Sequence, residues 1–343
     1  MEQTNTVFKL PFMILSILTV VCFLVNISFG SVYIPLSQTI STFTGSSEVE
    51  VWNVIVMDYR LPKAITAILV GSGLGISGLL MQTLFRNPLA GPFVLGISSG
   101  ASLGVAIIVL GSGLFSISLA TVLVSKWGII IAASLGSFLV LLAVLAISSR
   151  VRDTMAILII GLMFGSITAA LVSVLSYFSS AEQLQQYIFW GFGNLSNLSW
   201  NEILIFLVIY LTGLMLSIIS IKNLNTLLLG DRYARSLGIS LKQSRLIIIL
   251  ATSLLAGGIT AFAGPIAFVG LAIPHLTRQL FKTSNHKILL PAVILMGAIV
   301  MLLCDLVAQV PSSELTLPIN AITALVGAPV VIWILVKQRK MMF

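Results

Sequence analysis

The stretch ITAILVGSGLGISGLLMQTLFRNPLAGPFVLGISSGASLG, residues 65–104, decides the fold class. Its first part, Ile65–Leu84, carries no charge, and a helix of about 20 such residues spans the ~30 Å hydrocarbon core of a bilayer. A short polar turn, Arg86-Asn87-Pro88, closes that block, and a second apolar run starts at Pro92. Within the second run Gly96, Gly100 and Gly104 recur at every fourth position. Small residues at that spacing share one helix face and let two backbones approach closely. Helix, tight turn and helix, apolar all round, describe a chain whose solvent is lipid.

The same pattern extends in both directions. Of 343 residues 58% are apolar and 8% charged, against roughly 25% charged in an average soluble domain. Apolar blocks near 10–30, 61–84, 92–111, 126–148, 154–178, 201–221, 243–263, 266–282, 288–308 and 319–337 predict an all-α polytopic membrane protein of about ten transmembrane helices. No gap between them holds a soluble domain, so 1–343 reads as a single transmembrane domain. The first block has only Lys9 ahead of it and no small-x-small cleavage site, which favours a retained helix over a secretory signal. The two cysteines, Cys22 and Cys304, lie inside apolar runs and imply neither a disulfide framework nor a metal site.

Charge sets the orientation. With ten spans and a cytoplasmic N-terminus, the outer segments hold only Arg60, Lys63 and Lys126, which leaves fifteen of the 18 Lys and Arg inside. That bias follows the positive-inside rule and places both termini in the cytoplasm. Glu48, Glu50, Asp58, Glu182, Glu202 and Glu314 fall on or near the outer side. The net charge of +8 is thus a topological signal, not a nucleic-acid footprint. A fainter feature is the likeness of 65–82 to IILATSLLAGGITAFAGP (248–265), in opposite orientations, as in inverted repeats of transporters.

Three further segments carry candidate function. NLNTLLLGDRYARSLGISLKQSR (223–245) is the most polar inner loop yet contains Leu227, Leu228, Leu229, Ala234, Leu237 and Ile239. It reads as two short helices broken at Gly230 and Gly238, with an apolar face for a soluble partner or the membrane surface. In GPIAFVGLAIPHLTRQLFKTSNHKILLP (264–291), Pro265, Gly270 and Pro274 interrupt a hydrophobic run. His275 and His286, eleven residues apart with no adjacent carboxylate or Cys, make a poor metal site. In 304–335, Asp305 is an intramembrane carboxylate, read either as a functional group or as a hydrogen-bonded structural one.

These segments together resemble the FecCD family of ABC-importer permeases. The resemblance rests on RLPK, GLLMQTLFRNPLAGPFVLGISSGASLG, WGFGNLSNLSW, LLLGDRYARSLGI, AGPIAFVGLAIPHLTR and ELTLPINAITALVGAP, in family order from about 58 to 335. It implies a type II importer permease of ten helices in the inner (cytoplasmic) membrane, paired with a second copy or a paralogue. Two ATP-binding subunits would attach inside, and an extracytoplasmic binding protein would deliver the substrate, a ferric siderophore or alternatively haem or cobalamin. The 223–240 loop would couple to the ATP-binding subunits through Leu229, Gly230, Asp231, Arg232, Ala234, Arg235, Leu237 and Gly238. Arg60, Lys63 and Gln309 match the family's docking arginines, two of them replaced here. Thr154, Met155, Gly161, Gly165 and Ser166 would line the pathway and gate. The chain has no G-x-x-x-x-G-K-[ST] loop, so hydrolysis is assigned to a separate polypeptide and no cofactor is expected. An ion-coupled secondary transporter is the rival reading, with Asp305 as its one candidate coupling group.

Overall fold

The glycine-rich block that begins at Leu61 folds as one unbroken 25-residue helix. Glycine is a poor helix former in water, but inside a bilayer every backbone group must be satisfied internally, and the helix persists. The computed structural model describes residues 2–30, 32–43, 50–148, 154–310 and 315–339. In chain order the helices are α1 (Glu2–Ser28), α2 (Leu36–Phe43), α3 (Glu50–Val54), α4 (Leu61–Phe85), α5 (Ile97–Val109), α6 (Ile117–Leu123), α7 (Lys126–Ser148) and α8 (Thr154–Phe178). They continue as α9 (Ala181–Gly191), α10 (Trp200–Ile219), α11 (Ile221–Leu227), α12 (Asp231–Ser236), α13 (Leu241–Ala263), α14 (Val269–Phe281), α15 (His286–Ala308) and α16 (Ile319–Arg339). A π-helical turn, Ile55–Arg60, joins α3 to α4, and a 3₁₀ turn, Pro92–Leu95, precedes α5.

Among the described residues, 7 helical segments are long and apolar enough to cross a membrane; they lie in α1, α3–α4, α7, α8, α10, α13 and α15. Of the other three expected spans, two contain shorter apolar helices, in α5 and α16, and the third contains the short α14, which carries His275 and Arg278. α5 and α14 have 13 residues each, which at 1.5 Å per residue cover about 20 Å. The apolar part of α16 is Ile319–Trp333. Backbone breaks shorten the first two: Gly96 (φ 75) ends the turn before α5, and Gly264 (φ 76) and Phe268 (φ 65) interrupt the chain before α14. The break expected around Pro265, Gly270 and Pro274 is therefore confined to 264–268, while Gly270 and Pro274 lie inside α14.

Packing divides the chain into two compact units. Unit 1 comprises Met1–Leu79, Asn194–Val208 and Ile266–Phe343; unit 2 comprises Leu80–Gly193 and Ile209–Pro265. In unit 1, α4 meets its neighbours backbone to backbone. A Cβ at Gly71 would lie 2.1 Å from the Gly297 carbonyl oxygen of α15, and one at Gly78 only 1.6 Å from that of Gly270 in α14. In unit 2 the expected small-residue face of α5 packs on α7, with Gly100 against the Gly136 carbonyl and Gly104 against that of Ala132. α13 fills the middle of unit 2, where Gly257 faces Ser137 and Ile97 and the Ser137 hydroxyl donates to the Ile97 carbonyl at 3.1 Å. The two glycine-rich sequences that echo each other thus become the buried helices of different units.

Candidate functional site

Unit 1 brings the expected docking residues onto a built polar cluster. Arg60 ends the π-helical turn, and its Nη1 donates to the carbonyls of Ile27 and Ser28, both at 2.8 Å. Its Nη2 donates to the Val32 carbonyl. The last carbonyls of a helix lack intrahelical donors and carry partial negative charge, so a guanidinium suits the end of α1. One turn into α4, Lys63 pairs with Asp305 of α15 at 3.0 Å; the side chains are 15% and 2% exposed. The second carboxylate oxygen accepts from Asn26 of α1 at 2.9 Å and from Gln309 at 2.7 Å. Asn26 also donates to the Leu302 carbonyl at 3.2 Å. Lys63 and Gln309 therefore share one buried carboxylate, and Asp305 has the hydrogen-bonded character that one sequence reading gave it. Asn26 was not singled out from the sequence; a lone Asn near the end of an apolar helix was the available signal. Glu48 and Glu314 lie outside the described residues.

Unit 2 holds the expected coupling element. α11 and α12 are the two short helices, separated by Leu228–Gly230, and Gly230 (φ 108) and Gly238 (φ 79) supply left-handed backbone in open space. Leu224, Leu227 and Ala234 are buried, whereas Leu228, Leu229, Tyr233 and Leu237 are exposed, beside exposed Arg232 and Arg235. The result is a presented apolar and basic platform. Asp231, half-buried, is paired within the chain: its carboxylate receives Arg86 on one oxygen and Arg245, at 2.9 Å, on the other. Arg86 Nε also donates to the Leu227 carbonyl at 3.1 Å. Sequence reading named neither Arg86 nor Arg245 as site residues, although Arg86 sits in the turn motif that opened the reading.

The expected pathway helix is α8. Gly161 is buried against the 3₁₀ turn, where a Cβ would lie 2.2 Å from the Val94 carbonyl oxygen. Gly165 faces the Ser99 hydroxyl. Ser166 is exposed, and its hydroxyl donates to the Leu162 carbonyl at 3.2 Å. The exposed side of α8 continues through Ile159, Met163, Ile167, Leu171 and Val174. Thr154 and Met155 open the helix, but their side chains lie outside the described residues, as do Arg150 and Arg152. After α8, the capping box of Ser180 and Gln183 starts α9, which is tied back to α5 by hydrogen bonding between Tyr187 and Ser102 hydroxyls at 2.5 Å.

The chain thus carries an exposed apolar and basic platform, a pair between Lys63 and the buried Asp305, and a long helix without charge. The model of the FecCD transport family matches residues 18–337. The chain belongs to that family. It is 36% identical over 327 residues to the vitamin B12 import system permease protein BtuC of Shigella boydii serotype 18, covering 95% of this chain and 94% of that one. The homologous permease of Klebsiella pneumoniae is 34% identical, with 95% and 93% covered. A solved metal-chelate type ABC transporter in an inward-facing conformation superposes with a TM-score of 0.80 at 30% identity, over 95% of this chain and 98% of that one. PsaBC from Streptococcus pneumoniae shares the fold at 17% identity, with a TM-score of 0.52 and coverage of 85% and 93%. The FecCD chain described here is a multi-pass transmembrane permease of an ABC importer.

Proposed function

We propose that this permease forms the translocation pathway for a large metal chelate handed over by an extracytoplasmic binding protein and driven by two ATP-binding subunits. The observation that carries the reading is the platform of Leu228, Leu229, Tyr233 and Leu237 with Arg232 and Arg235. Exposed leucines on a polar loop are costly in water unless a partner covers them, and a soluble ATP-binding subunit is such a partner. Arg60 marks the docking side for the binding protein, with Lys63 and Gln309 held there by Asp305. A second copy or paralogue completes the pathway beside α8, and the termini face the cytoplasm of the inner membrane.

The substrate class follows from α8 and α9, whose sequence from 154 to 191 contains one charged residue, Glu182. A pathway of that composition suits a bulky solute whose metal is already wrapped by its own ligand. Cobalamin, a ferric siderophore and haem all satisfy this. The relatives named for vitamin B12 import favour a cobalt corrinoid, and the family resemblance favours a ferric siderophore. Asp305 is engaged by Lys63, Asn26 and Gln309, which weakens its claim as the ion-coupling group of a secondary transporter.

The test is uptake of labelled cobalamin, ferric siderophore and haem in cells lacking this permease. Loss of one uptake, restored by the wild type but not by a chain lacking 227–238, supports both the chelate and the coupling. Normal entry of all three in a strain without a redundant system overturns the chelate reading.

A further inference from the structure

The turn Arg86-Asn87-Pro88 is more elaborate than a link between two helices requires. The Asn87 amide donates to the Gln82 carbonyl at 3.2 Å and the Arg86 amide to the Thr83 carbonyl at 3.3 Å. Those two bonds define a Schellman end to α4, and the residue at its left-handed position is usually glycine. Here that residue is Arg86, at φ 47. An arginine in the left-handed region is disfavoured by its own Cβ. The Asn87 side chain then accepts from the Leu89 amide at 2.9 Å, which fixes the chain leading to Pro92.

The side chain explains the exception. From this position the guanidinium donates to the Leu227 carbonyl, at the end of α11, and pairs with Asp231, at the start of α12. It thus spans the break at Leu228–Gly230, the joint between the two short helices. Arg245, near the start of α13, holds the other oxygen of Asp231. Arg232 and Arg235 remain exposed.

We propose that Arg86 is a positioning residue: it brackets α11 and α12 through Leu227 and Asp231, so that the platform follows the end of α4 as a rigid piece. Asp231 is accordingly an internal anchor, not a contact to the ATP-binding subunit. The proposal rests on the coupling role given to this loop above, but its structural half can be measured without any partner.

The experiment compares wild type, Arg86→Gly and Asp231→Asn in the full-length permease, alone in lipid nanodiscs and co-expressed with its ATP-binding subunits. Arg86→Gly suits the turn geometry better than the native residue, so folding is kept while the guanidinium is lost. In both variants the amides of 227–238 exchange at least ~10-fold faster, as expected for loss of a charge-assisted bond. The ATP-binding subunits still co-purify, and the acceleration of ATP hydrolysis on adding the binding protein falls about 10-fold. Wild-type exchange in Arg86→Gly overturns the proposal, as does loss of co-purification in either variant with exchange unchanged. If Arg86→Gly does not fold, Asp231→Asn, which leaves the turn intact, must show the faster exchange; wild-type protection there overturns the bracket. Wild-type permease that retains no ATP-binding subunit defeats the functional reading while leaving the exchange result to stand or fall by itself.

Discussion

Asp305 shows how a carboxylate is kept inside an apolar helix bundle. Burying an ion without partners is prohibitive; here Lys63 supplies the countercharge, and Asn26 and Gln309 occupy the other oxygen. The cluster ties α1, α4 and α15 together in unit 1. Removing one partner of a buried pair leaves the other uncompensated, so Lys63→Met is expected to cost about 3 kcal/mol. Thermal unfolding in detergent checks this, and the double variant Lys63→Met/Asp305→Asn is expected to recover part of the loss. The need of Asp305 for hydrogen bonds was legible in the sequence, because an acid in an apolar run has few alternatives. Its partners were not: Asn26 lies 279 positions away, and no local spacing encodes such a pairing. The same limit hid Arg86, whose partner Asp231 is 145 positions on. Lys63, expected from family resemblance to meet the binding protein, is engaged within the chain, whereas Arg60 is held by the carbonyls of Ile27, Ser28 and Val32.

At the scale of elements, period and composition located the long helices well and the short ones poorly. A glycine that ends a helix and one that admits a neighbour look alike in sequence. Gly96 does the first and Gly100 the second, on adjacent turns of one motif. Gly270 was read as a break, yet it lies within α14, opposite Gly78. Gly78→Ala puts a methyl into a backbone contact that no rotamer can relieve. It is expected to lower stability by about 1–3 kcal/mol, as overpacking does, seen as reduced folded yield in size-exclusion profiles. Gly191→Ala, whose added Cβ would meet no atom within 4 Å beyond its own turn and chain neighbours, is the control and is expected to leave the yield unchanged. The platform on α11 and α12 was legible as an apolar face on a polar loop. Replacing Leu229, Tyr233 and Leu237 together by Ser is expected to abolish co-purification of the ATP-binding subunits. Central apolar anchors contribute about 2 kcal/mol or more each at such contacts, and membrane insertion is expected to persist because none of the three is buried.

For the molecule as a whole, the basic-residue asymmetry predicts sidedness, and both native cysteines are buried, which leaves a quiet background for labelling. A single added cysteine at Tyr59 is expected to react with an impermeant maleimide in intact cells. One at Arg235 is expected to react only after permeabilisation; the reverse pattern refutes the topology. Only 17% of the apolar span in α8 is buried within the chain, against 89% for that in Glu50–Phe85. That contrast separates a helix committed to its own subunit from one left for lipid or another copy, and no sequence window distinguishes them, because lipid and protein interior are equally apolar. The backbone contacts of α4 also bear on how this gene can change. Every amino acid reachable from a glycine codon by a single base change is larger than glycine. At Gly71 and Gly78, where a first carbon would sit 2.1 and 1.6 Å from a carbonyl oxygen, each such step adds atoms where none fit. Neutral drift is closed at these sites and stays open on the faces that the chain leaves exposed, that of α8 among them.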